Sequence, residues 1–82
     1  MKRDGWFVYM VECGDGSLYT GITNDVEARV ATHNLGKGAK YTKVRLPVQL
    51  VFSEVCVSRS EAAKREWEIK QLKREEKLSL MK

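Results

Sequence analysis

The sequence predicts an α+β domain: a three-stranded antiparallel sheet flanked by helices, in the order β-β-α-β-α. Three observations predict it. "WFVYMVECGDGSLYTGIT" has the form of a β-hairpin, "VQLVFSEVCV" that of a single further strand, and a capped helical stretch follows each. At 82 residues the chain is expected to be one domain over 1–82. Its core is thin, since a chain of this size buries only about 60% of the surface it exposes when unfolded.

The first strand, "WFVYMVE", is aromatic and β-branched, and "GDG" at 14–16 is a turn whose glycines tolerate positive φ. If Cys13 pairs with Ser17 across that loop, Tyr9 faces Gly21 and Tyr19 faces Val11. Both phenol rings then leave the same face, and a one-residue slip would separate them. Gly21 opposite Tyr9 leaves open space. "NDVE" gives a capping-box-like helix start from Asn24 to Glu27, and Val26, Val30 and His33 recur at helical spacing. Arg29 and His33, four apart, are neighbours on that helix. "LGKGAKYTKVRLP" breaks the helix. In the third strand Val48, Leu50, Phe52 and Glu54 are expected on one face and Val51, Ser53 and Val55 on the other. Ser58 to Glu61 is a second capping box. The helix it opens either runs to the C-terminus or breaks near Lys73 to Glu76, which would give a further helix.

Composition excludes several classes. No run of about 18 apolar residues exists to span a membrane. The start, "MKRDGWFVYM", is interrupted by Asp4 and its apolar run is cut short by Glu12, so it is not expected to make a leader, and the expected location is the cytoplasm. Two cysteines outside a CxxC pattern and a single histidine are too few for a Cys/His zinc site, and the cysteines read as small apolar residues. Net charge is +4, and Leu35 to Ser53 holds Lys37, Lys40, Lys43 and Arg45 with no acidic residue. That segment suits a phosphate backbone as partner.

Five residues fit a purely structural account poorly. Glu66 lies within the apolar stripe of Ala62, Ala63 and Ile69, where a carboxylate is costly unless paired. It either sits at the edge and pairs with Lys70 or Arg29, or holds a metal ion. Arg29 either pairs with Asp25 or is kept for an anion. Tyr9, Tyr19, Arg29, His33 and Glu66 together, on one sheet face bounded by two helices, suit phosphodiester cleavage. Water must lose a proton there, and the phosphate must be neutralised. A phenol of pKa about 10 becomes a usable base only beside a cation or an imidazole. One carboxylate cannot hold Mg²⁺ alone, but the ion keeps several waters and takes its remaining ligand from substrate phosphate.

In "FVY" at 7–9, "YTG" at 19–21, Arg29, and Glu66 within "AAKREWEIK", the chain resembles the GIY-YIG nuclease domain over nearly its whole length. "TGITNDVEARVATHNLGKGAKYT" is most similar to the small stand-alone bacterial members. The resemblance implies divalent-metal-dependent DNA cleavage, as in homing endonucleases, restriction enzymes and a DNA-repair incision protein. It implies Tyr9, Tyr19, Arg29 and His33 as catalytic residues and Glu66 as ligand of one Mg²⁺ or Mn²⁺ ion. Gly21, Asn34 and Thr42 become supporting positions. Lys37, Lys40, Thr42, Lys43 and Arg45 are expected to face nucleic acid. Phe7 stands where the motif has its first glycine and Thr20 where it has isoleucine, and Phe7 adds bulk on the Tyr9 face. Eighty-two residues are not expected to hold a separate DNA-targeting module.

The function expected is therefore metal-dependent cleavage of DNA, structure-selective or weakly specific, with no membrane and no small-molecule cofactor involved. The alternative is a nucleic-acid-binding module that does not turn over, or needs a protein partner, with Tyr41 stacking on an unpaired base.

Overall fold

A computed structural model describes residues 5–81. Residues 1–4, on which part of the expectation about a leader rests, lie outside the described residues. Strands β1 (Trp6–Glu12) and β2 (Leu18–Thr23) form the hairpin, with Tyr9 opposite Gly21 and Val11 opposite Tyr19. The Cys13 amide donates to the Ser17 carbonyl at 2.8 Å, and Gly16 takes φ 85°, the turn conformation for which glycine was needed. Strand β3 (Gln49–Cys56) adds antiparallel to the other side of β1, giving the order β2-β1-β3.

The expected alternation along β3 is not kept. Leu50 pairs with Val11 and Phe52 with Met10, so Val51 is an extra residue and the strand carries a β-bulge. Val48 therefore packs beside Tyr9 and Val11, whereas Phe52 packs beside Val8 on the other face. With apolar residues at both parities, this strand has no pattern that forces one face.

Helix α1 (Val26–Asn34) is capped by Asp25, whose carboxylate accepts from the Ala28 amide at 3.2 Å. The cap thus lies one residue later than Asn24, its expected place; the Asp25 amide itself donates to the Thr23 hydroxyl at 3.1 Å. A single helical turn, α2 (Lys40–Lys43), forms inside the glycine-bearing segment that had been read as a break. Helix α3 (Arg59–Lys70) is capped by Ser58 as expected, accepting from the Glu61 amide at 3.2 Å. It stops, and α4 (Arg74–Leu80) follows.

The two main helices do not share a sheet face. Helix α3 brings Ala62 and Ile69 onto Val8 and Cys56, while α1 brings Val26 and Val30 onto Tyr9 and Val11. The cause lies in β1, which is apolar at both parities: Phe7, Val8, Tyr9, Met10 and Val11 are all buried. Each face needs its own cover, and full burial of one such side chain contributes on the order of 1.5–3 kcal/mol. Both cysteines are free and buried. Among the described residues no helix is long and apolar enough to cross a membrane.

Candidate active site

The centre of the site is a buried line of polar groups. Tyr9, on the middle strand, is 1% exposed, and its hydroxyl lies 2.7 Å from Nε2 of His33. His33, in the last turn of α1, is fully buried, and its Nδ1 lies 2.8 Å from the Thr42 hydroxyl. Thr42 in turn donates to the Ala39 carbonyl at 3.0 Å. The α2 turn folds back over the end of α1 to make this line. Two glycines make room for it. A Cβ on Gly21 would stand 2.7 Å from the Tyr9 oxygen, and one on Gly38 would collide with Nδ1 of His33.

Tyr19 is half-buried on β2 and meets the His33 ring edge-on, with centroids 5.5 Å apart. Its other aromatic neighbour is Tyr41, nearly parallel at 5.9 Å. Arg29 lies one turn before His33. Burial raises the Tyr9 phenol above its ordinary 10.0; a hydrogen bond and charge from Arg29 oppose the rise, and Tyr19 and Glu66 add to it. Burial, helped by the Arg29 charge, lowers His33 below 6.5. Near neutral pH the phenol is therefore protonated and the imidazole uncharged.

Glu66 reaches this group from α3, the helix on the opposite face. Its side chain is 23% exposed, and Oε2 lies 2.9 Å from Nζ of Lys70. The Lys70 ammonium is itself 5.9 Å from the centroid of the Tyr19 ring. Of the two accounts of Glu66 the structure shows the first, the pairing with Lys70 along its own helix; its charge also adds to the upward shift of the Tyr9 phenol. Among the described residues no three His, Cys, Asp or Glu side chains gather to cage an ion. A single carboxylate fits Mg²⁺ or Mn²⁺, whose remaining ligands are water and phosphate oxygen, and does not fit a structural zinc site.

The residues expected to face nucleic acid divide. Lys37, Lys40 and Lys43 are exposed. Thr42 is not on the surface at all; its hydroxyl is fully occupied by His33 and Ala39, which corrects its expected role. Arg45 is engaged within the fold. Its Nε lies 3.2 Å from Asp15 Oδ2, one amino group donates to the Tyr41 carbonyl at 2.8 Å, and its guanidinium lies 4.0 Å from the Tyr41 ring centroid. The Tyr41 ring has Arg45 and Tyr19 as neighbours and remains exposed. Asn34 grips the backbone of Val48 with both ends of its amide, accepting from the amide N–H at 2.7 Å and donating to the carbonyl at 3.0 Å. Phe7 turns its bulk into the core, 4% exposed. Lys70 takes the place beside Glu66 that the four-residue spacing suggested for it. Gly38 is the residue that sequence reasoning missed, and nothing local signals it.

The model of the GIY-YIG catalytic domain matches residues 5–79. A UPF0213 protein of Staphylococcus aureus (strain N315) is 61% identical over 79 residues, which cover 96% of each chain. Two solution NMR structures are similar. One, a UPF0213 protein of Bacillus halodurans, is 48% identical with a TM-score of 0.58, over 92% of this chain and 80% of that one. The other, a protein of E. faecalis, is 37% identical with a TM-score of 0.63, over 98% and 88%.

Proposed function

This chain belongs to the GIY-YIG catalytic-domain family, a nuclease family that generally uses a divalent metal, and from that premise we propose that it hydrolyses phosphodiester bonds in DNA with the help of one Mg²⁺ or Mn²⁺ ion. One observation carries the reading. Tyr9, Tyr19, Arg29, His33 and Glu66 come from four separate elements, yet the Tyr9 hydroxyl is bonded to His33, the His33 ring meets Tyr19, and Lys70, the partner of Glu66, lies 5.9 Å from the Tyr19 ring centroid.

Each residue has a task that follows from its position. Glu66 would hold the ion, through the carboxylate that Lys70 now pairs. When bound, the ion supplies positive charge against the phosphate oxygens and the leaving oxygen. The Arg29 guanidinium neutralises the scissile phosphate and also lowers the cost of negative charge on Tyr9. Tyr19, the more exposed phenol of the two, orients the nucleophilic water. Tyr9 and His33 move its proton. Lys37, Lys40 and Lys43 hold the DNA backbone without reading sequence, which suits structure-selective or weakly specific cleavage.

The test is cleavage of duplex, single-stranded and branched DNA in Mg²⁺ or Mn²⁺, with Glu66→Ala and Arg29→Ala beside the wild type. Metal-dependent cleavage lost in both variants, with the fold intact by circular dichroism, is the expected result. Salt-dependent binding with no cleavage in either metal would instead assign the chain to binding without turnover. Cleavage that survives both substitutions would move the site elsewhere.

A further inference from the structure

The line Tyr9–His33–Thr42–Ala39 has a direction, and Thr42 sets it. A threonine hydroxyl has one proton. That of Thr42 is donated to the Ala39 carbonyl, a group that can only accept. The 2.8 Å contact with His33 must then be made by an N–H on Nδ1, donating to the Thr42 oxygen. A neutral imidazole has one such proton, so Nε2 presents its lone pair to Tyr9. The Tyr9 hydroxyl is left only one role at 2.7 Å, that of donor.

We propose that Thr42 is a positioning residue which holds His33 as its Nδ1–H tautomer, so that Tyr9 always points its proton at Nε2 and keeps its oxygen lone pairs for the opposite side. Arg29 stands one turn before His33, and a guanidinium can only donate, so any bond it makes to Tyr9 falls on those lone pairs. The three hydrogen bonds from Tyr9 to Ala39 therefore run the same way. Other polar groups around the imidazole do not compete for its nitrogens. Tyr19 meets it with its ring, Gly38 closes over it with backbone, and Glu66 is occupied by Lys70.

The consequence, which rests on the nuclease reading, is that Tyr9 and His33 work together as a base. As a water gives a proton to the Tyr9 oxygen, the phenol's own proton passes to Nε2. One water O–H and one phenol O–H break, while one phenol O–H and one N–H form, leaving hydroxide and an imidazolium. Thr42 still accepts from Nδ1–H in that charged state, so nothing must rotate during the transfer. Reversal returns the proton to the leaving oxygen.

Histidine-¹⁵N NMR on the whole chain reads the tautomer directly, with no DNA or metal present. The expected spectrum has a protonated Nδ1 and a bare Nε2 at neutral pH; a protonated Nε2 overturns the inference. Thr42→Val keeps the volume but removes the acceptor, and should let the second tautomer appear. Cleavage should then fall by about tenfold to a hundredfold, in kcat rather than KM, and Thr42→Ser should restore both readouts. A Val variant with unchanged tautomer and rate overturns the role of Thr42. Absence of cleavage in the wild type, with the expected spectrum, would refute the nuclease reading and leave the tautomer assignment standing.

Discussion

The hydroxyl end of Tyr9 lies directly over the α-carbon of Gly21, so closely that a methyl group there would stand 2.7 Å from the phenolic oxygen. The two residues are opposite partners in the hairpin ladder. Gly21→Ala is therefore expected to push the ring off its bond with His33. Overpacking of this kind costs about 1–3 kcal/mol, and cleavage should fall with it. Denaturant unfolding and the Tyr9–His33 NMR contact check both; a stable variant with that contact intact would contradict the packing argument.

Lys70 and a divalent ion compete for one carboxylate. Replacing Lys70 by Met removes the ammonium 2.9 Å from Glu66 Oε2 while keeping an apolar stem. In the absence of DNA, Mn²⁺ should bind this variant more tightly, seen as paramagnetic broadening of the Tyr19 resonances at lower metal concentration. Unchanged affinity would mean that Glu66 is not the ligand, or that Lys70 does not hold it.

Two shifts of opposite sense within the site bear on the pH dependence of stability. His33 is lowered from 6.5, so between its folded value and 6.5 the unfolded chain holds a proton that the folded chain rejects. This contribution is complete above 6.5 and is lost as the pH falls through that window. Tyr9 is raised from 10.0, so its contribution is complete below 10 and is lost as the pH rises beyond it. Unfolding experiments should show a plateau above 6.5 that ends near 9.0, where the Cys13 and Cys56 thiols, both raised by burial, begin to cost stability ahead of Tyr9, and the His33 ring should titrate below 6.5 by NMR. Titration above 6.5 would reject the buried, neutral imidazole.

Asn34→Ala should destabilise the fold without touching the chemistry. The substitution leaves the amide and carbonyl of buried Val48 without their partner. The cost is about 1–3 kcal/mol, and each kcal/mol lowers Tm by roughly 4–8 °C in a domain of this size. Cleavage per folded molecule should change little. A large loss of rate at full stability would place Asn34 in the reaction instead.

What the sequence disclosed depended on how local the cause was. The hairpin register was legible because loop length and the parity of Tyr9 and Tyr19 determine it. The Ser58 cap was legible for the same reason. Asn24 and Asp25 are both good caps, and only the Thr23 hydroxyl decides between them. The bulge at Val51 was hidden because β3 is apolar at both parities. Thr42 looked like a surface residue because the turn carrying it is flanked by lysines; burial of its hydroxyl depends on the distant ring of His33. The partial burial of Glu66 was readable from its spacing to Ala62 and Ile69, although Ala63, read as part of the same stripe, is exposed; its approach from the helix on the far side of the sheet was not.

The bulge at Val51 also bears on how copies of this chain meet. Leu50 and Val55 are outward apolar residues on a free sheet margin, the kind of rim that zips onto a neighbour and seeds aggregates. A zipper needs evenly spaced donors and acceptors, and the surplus residue puts the two halves of the margin out of phase. Sedimentation of the wild type should be independent of concentration, whereas deletion of Val51, by straightening the rim, should bring on self-association.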